Sequence, residues 1–294
     1  GATAISDAND LKVSLTTGET KLTTGGVLSV SGVLSGALTA SSTGAINQFD
    51  TLKVTGATAL TGASVLLADL ANDFIGQVTV TAGATVIRDA NDLEVSLTTG
   101  ETKLTTGGAL SVSGVVSGAL TASSTGSISQ FGTLKVTGAT ALTGASVSLA
   151  DTTNDFSGQV TVTAAVTAIS DANDLKVSLT AGETKLTTGG VLSLSGVVSG
   201  ALMASSTGSI SQFGTLKVTG STALTGGSVT LADSANEFQD VVTVTAGATA
   251  ISDANDLKIS LTTGETKLST GGKLSLNGVV SGALTVSSTG AINP

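Results

Sequence analysis

The residues best able to do chemistry are carboxylates gathered at a recurring corner. The run Asp-Ala-Asn-Asp occurs at residues 7–10, 89–92, 171–174 and 253–256. A second acidic run, Asn72-Asp73-Phe74, returns as Asn154-Asp155-Phe156 and Asn236-Glu237-Phe238. Clustered carboxylates are what a hard cation such as calcium takes as ligands. The same residue types also make Asx-turns, whose side-chain oxygen bonds the backbone while the charge meets water. The paired Gly and Asp of calcium-binding nonapeptide repeats are absent, which favours the turn. No residue is assigned to catalysis, a cofactor or a metal. Asn72 and Asn91 lie 19 residues apart, as do Asn154 and Asn173, and Asn236 and Asn255. Each pair is expected to stack as a short amide ladder one coil apart, with Asp73 over Asp92, Asp155 over Asp174 and Glu237 over Asp256.

Two other chemistries fit less well. Thr79 and Thr81, with Thr161 and Thr163 and Thr243 and Thr245, form Thr-x-Thr pairs of the kind that order water on an ice-binding face. Such a face needs pairs on adjacent coils, and these recur only once per long repeat. A carbohydrate-cleaving enzyme needs acid–base catalysts in a groove, and usually aromatic platforms. The chain has no His, Trp, Tyr or Cys, and Arg88 is its one arginine. Its six Phe fall in two columns, Phe49, Phe131, Phe213 and Phe74, Phe156, Phe238, and are read as core. The expectation is a protein that is not an enzyme. Net charge is −9 with no basic cluster, so neither nucleic acid nor an anionic membrane is an expected partner, and no apolar run is long enough to span a bilayer.

The elements that must carry these corners come from repetition. The sequence repeats every 82 residues without insertion, in copies 7–88, 89–170 and 171–252 and a partial copy 253–294. Thr, Ser, Val, Ala and Leu dominate, with 38 Gly and one Pro among 294 residues, a composition of strands and turns. Units of 19, 18, 24 and 21 residues fill residues 72–153, each holding short alternating runs such as Val78-Thr79-Val80-Thr81. Val would face one side and Thr the other. Recurrence about every 20 residues fits solenoid rungs better than hairpins. The expected fold is all-β, a single right-handed parallel β-helix over residues 1–294, with four coils per repeat and about 14 coils, roughly 67 Å long. Phe74, Val78, Val80, Leu93, Val95, Leu110, Val112, Leu134 and Val136 are expected to point inward. Lys12, Lys176 and Lys258 face outward, and Glu94 takes their place in one copy. That change of sign reads as tolerance.

"LADLANDFIGQVTVTAG" (residues 67–83), followed by "RDANDLEVSL", resembles the repeats of filamentous haemagglutinin-like bacterial adhesins and other giant repetitive surface exoproteins. Departures are few: Glu237 stands for the second Asp, Asp240 for the Gly at 76 and 158, and Ala165 for the Gly at 83 and 247. The resemblance implies a β-helical shaft exported to the cell surface of a Gram-negative bacterium, with no catalytic residue. The expected function is a structural shaft segment of an adhesin or fibre. The alternative is a multivalent binding module whose repeated faces, about 19 Å apart, contact glycans or other copies of the chain. Neither end reads as a cap: Pro294, the sole Pro, stands where Gln48, Gln130 and Gln212 stood. The expected partners are therefore further copies joined end to end, with any host or neighbouring surface met through regions outside this segment.

Overall fold

The computed structural model describes residues 1–293, so Pro294 lies outside them. The chain is all-β, without a helix, and its parallel strands stack as a β-solenoid of about 16 turns. It divides into two compact units, Gly1–Ala145 and Ser146–Pro294.

The first unit begins with β1 (Thr3–Asp7), β2 (Leu11–Thr17), β3 (Thr20–Thr24), β4 (Leu28–Leu34), β5 (Leu38–Ser42) and β6 (Ala45–Val54). It continues with β7 (Thr58–Thr61), β8 (Ser64–Leu67), the two-residue β9 (Asp73–Phe74), β10 (Val78–Thr81) and β11 (Thr85–Asp89). Then come β12 (Leu93–Thr99), β13 (Thr102–Thr106), β14 (Leu110–Val116), β15 (Leu120–Ser124) and β16 (Ser127–Val136). Strands alternate between two stacks. One stack runs β1, β3, β5, β7, β10, β12, through the register Thr3, Thr20, Leu38, Thr58, Val78, Val95. The other runs β2, β4, β6, β8, β11, β13, through Leu11, Leu28, Ile46, Val65, Thr85, Thr102. Strands away from the ends of the stacks bond in parallel to the coil before and the coil after, so their backbone donors and acceptors are used without hairpins.

This pairing corrects the expected four coils per repeat. Thr3 and Thr85 are equivalent residues of successive repeats, yet they stand in different stacks. The repeat holds nine strands besides β9, and each coil uses two. An odd number shared between two stacks gives four and a half coils, so each repeat restarts half a turn round from the last. The expected count of about 14 coils was low for the same reason. The second unit repeats the pattern. Thr167 stacks through Thr184, Leu202, Thr222 and Val242, while its equivalent Thr249 stacks through Val229, Ile210, Leu192 and Leu175.

The core lies between the stacks, filled by alternate residues. Phe74, Val78, Val80, Leu93, Val95, Leu110, Val112, Leu134 and Val136 are all buried, as the alternation required. Each large side chain withdrawn from water contributes about 2–3 kcal/mol. The long strands bend at a glycine. Gly32 has φ +122°, and a Cβ there would stand 1.9 Å from the Leu15 carbonyl oxygen. Only glycine meets both conditions.

Candidate functional site

The acidic corner is built at the end of the strand that opens each repeat. Asp89 closes β11 with its side chain turned inward, and it is buried. Its Oδ2 accepts the Phe74 N–H at 2.7 Å from the coil before, and its Oδ1 accepts the Asn91 N–H at 2.7 Å within its own turn. Asp171 and Asp253 repeat this with Phe156 and Asn173, and with Phe238 and Asn255. Burial pushes the carboxyls of Asp89, Asp171 and Asp253 above their ordinary range; the two N–H donors pull the other way, and neighbouring acids such as Asp73 and Asp92 add to the rise. Asp92 uses its own Oδ1 to accept the Ala109 N–H at 2.6 Å. The first carboxylate of the motif is thus a two-handed backbone clasp between coils. Among the described residues no three His, Cys, Asp or Glu side chains gather as a metal site.

The expected amide ladder does not form. Asn72 is buried and Asn91 is exposed. The coil at this point is 17 residues long, as Val78 pairs with Val95, so a spacing of 19 overshoots the neighbour by two. Asn72 meets Ala90 instead, whose N–H bonds its carbonyl at 2.8 Å. Its side chain faces the other way and locks the coil before. Oδ1 accepts the Leu52 N–H and the Gln48 Nε2–H, each at 2.9 Å, and Nδ2 donates to Gln48 Oε1 at 2.7 Å. Asn236 holds Leu216 and Gln212 in the same manner. The sequence reading missed this clasp; the recurring Gln before each exposed Phe was the available signal.

The Gln–Asn clasp anchors a bulge. On β4, one residue separates Val30 from Gly32; on β6, three residues separate their partners Gln48 and Leu52. The extra chain leaves the sheet at Phe49-Asp50-Thr51. Phe49 is therefore exposed, as are Phe131 and Phe213, which corrects the expectation that all six Phe are core; Phe74, Phe156 and Phe238 are buried. The Lys12 ammonium sits over the Phe49 ring, 4.4 Å from its centroid, and Lys176 covers Phe213 at 4.5 Å. In the second repeat the residue in the Lys12 position is Glu94, which accepts a bond from Gln77 Nε2 at 2.9 Å. Among the described residues, an outward aromatic ring covered by a lysine recurs at Phe49 and Phe213.

The Thr-x-Thr pair of β10 faces outward. Thr81 aligns with Thr61 and Thr98, but Thr79 lies between Ala59 and Ser96, so the hydroxyl rows are broken.

A family model described as repeats of unknown function (DUF5649) matches residues 17–81, 82–163 and 181–245. No curated protein and no solved structure matches the chain.

Proposed function

The chain belongs to that family of repeats of unknown function, and we propose that it is a structural shaft segment of a secreted or cell-surface bacterial adhesin or fibre. The observation that carries this reading is the register: strands bond in parallel to the strand one coil on, and inward residues stack on inward residues, as Leu11 on Leu28, Leu93 on Leu110 and Leu175 on Leu192. Such a body grows by adding coils to an existing core, so length is set by repeat number. The resemblance of the Asn-Asp-Phe and Asp-Ala-Asn-Asp runs to filamentous haemagglutinin-like adhesins adds the setting, outside a Gram-negative cell. The shaft does no catalysis, joins further copies end to end, and leaves any receptor to regions outside this segment. Its test is a glycan array and a cell-binding assay on the purified segment. The shaft reading expects no binding; saturable binding to one glycan class contradicts it.

The exposed Phe49, Phe131 and Phe213 favour a second reading, a multivalent binding module. The half-turn restart changes its geometry. Within the first unit Phe49 and Phe131 lie on opposite stacks, so a ligand array along one side would not meet both.

A further inference from the structure

The half-turn restart gives the first unit two unlike sides. Lys12 and Phe49 lie on the β2–β4–β6 stack, where Lys12 aligns with Ser29 and Asn47. Glu94 and Phe131 lie on the β12–β14–β16 stack, where Glu94 aligns with Ser111 and Ser129. The backbone frame is the same, because the two patches occupy equivalent positions of the repeat. Four and a half coils of rotation point them in opposite directions. They differ in charge, Lys12 against Glu94, and each offers an exposed Phe. The Lys12 patch is also the more apolar. Exposed Leu66 stands one coil beyond Asn47, and exposed Leu70 follows Asp69, whose N–H reaches Gln48; the next repeat has Ser148 and Thr152 at these positions. Arg88 and Lys103 add positive charge to the strands of the Lys12 side, whereas Lys53 stands opposite Asp73 and Asp50 lies in the bulge. On the Glu94 side, Lys21 lies four coils from Ser96 and Lys135 holds the position that Lys53 holds on the Lys12 side, so the difference rests on Glu94, the acid among its outward strand positions.

We infer that the Lys12–Phe49 side of one molecule docks laterally on the Glu94–Phe131 side of a second copy of this chain. Lys12 meets Glu94 and the two Phe pack between them. A net charge of −9 opposes indiscriminate association, so a contact between copies needs a local pairing of opposite sign. Because the two docking patches face opposite ways on one molecule, the contact is heterologous and repeats without closing. Neighbours would be staggered by about 22 Å, the rise of four and a half strand spacings. The inference stands on these two patches and not on the shaft reading.

The experiment is sedimentation velocity of the whole chain over a range of concentration at low salt. Residue 94 is the only acid in the column of 12, 94, 176 and 258, so Glu94→Lys removes the one acid of that column. Lysine already fills this position in the other three repeats, and an unchanged circular dichroism melt checks that the variant folds. Association of Glu94→Lys should weaken roughly tenfold, the effect of replacing an exposed attraction by a repulsion. Adding Lys12→Glu to Glu94→Lys should restore it with the charges exchanged. Wild-type chain that stays monomeric contradicts the inference, as does Glu94→Lys associating like wild type or a charge exchange that restores nothing. End-to-end growth does not involve residue 94, so association untouched by Glu94→Lys would still be consistent with the shaft.

Discussion

Phe74, Phe156 and Phe238 are 1 %, 1 % and 2 % exposed, whereas Phe49, Phe131 and Phe213 are 45 %, 43 % and 41 % exposed. Both columns recur with equal regularity in sequence. What separates them is register with the coil alongside. Phe74 stacks in line on Val54, as one residue opposite one residue. Phe49 falls where three residues of β6 oppose one of β4, so its backbone is lifted off the sheet. The same side chain is therefore core in one region and surface in the other, and the decision is made by residues about 20 positions away.

The largest expected effect is on stability. Phe74→Ala should cost about 3–5 kcal/mol by opening a cavity in a closed core. Phe49→Ala should cost less than about 1 kcal/mol, since it removes an exposed ring and one contact with Lys12. Urea melts of the two variants check the difference, and equal losses would erase the distinction between the columns.

The clasp beneath the bulge comes next. Asn72→Ala leaves the buried Leu52 N–H without its acceptor, which should cost about 1–3 kcal/mol. Asn91→Ala, at the exposed position once expected to share a ladder with Asn72, should change stability by less than about 0.5 kcal/mol. Thermal melts of the pair decide whether one residue or both support the coil.

The buried carboxyls set a pH response. The raised values of Asp89, Asp171 and Asp253 mean that the folded chain holds these protons more tightly than the unfolded chain. That stabilisation is fully present below the ordinary carboxyl range and is lost as pH rises through the raised values. The melting midpoint should therefore climb as pH is lowered from neutral toward the carboxyl range. Asp89→Asn should weaken the climb; a slope identical to wild type would remove burial of this carboxyl as its cause.

The smallest effect is a gain. The inward hydroxyls of Thr58 and Thr85 are buried without a hydrogen-bond partner, and Thr58 stacks between Leu38 and Val78. Thr58→Val or Thr85→Val should stabilise by up to about 1 kcal/mol, because a desolvated hydroxyl is exchanged for a methyl. A loss in the melt would mean that these hydroxyls are satisfied.

Much of this was legible from local pattern. Val78-Thr79-Val80-Thr81 announces one face in and one out, and the glycine corners with absent hairpin signals announce a solenoid. The coil count was not legible. Successive coils take 17, 18, 20 and 20 residues, from Thr3 to Thr20, Leu38, Thr58 and Val78. Four coils therefore end at Val78, seven residues short of Thr85, where the repeat restarts. Leu-x-Val openings look alike in either stack, so nothing local marks the change of side. The role of Asn72 was hidden for the same reason: its partners Gln48 and Leu52 belong to a coil whose length is set by the bulge.

The half-turn restart underlies the two unlike sides of the first unit, and a pair of spin-label distances tests it most directly. The chain has no cysteine, so labels can be placed at will. Lys12 and Val86 belong to one stack, four coils apart through Ser29, Asn47 and Leu66, and labels there should be about 19 Å apart. Labels at Lys12 and Glu94 should be roughly 10 Å farther apart, because the path crosses from one side of the coil to the other. A separation of about 19 Å for residues 12 and 94 would instead mean whole coils per repeat, with every repeat facing the same way.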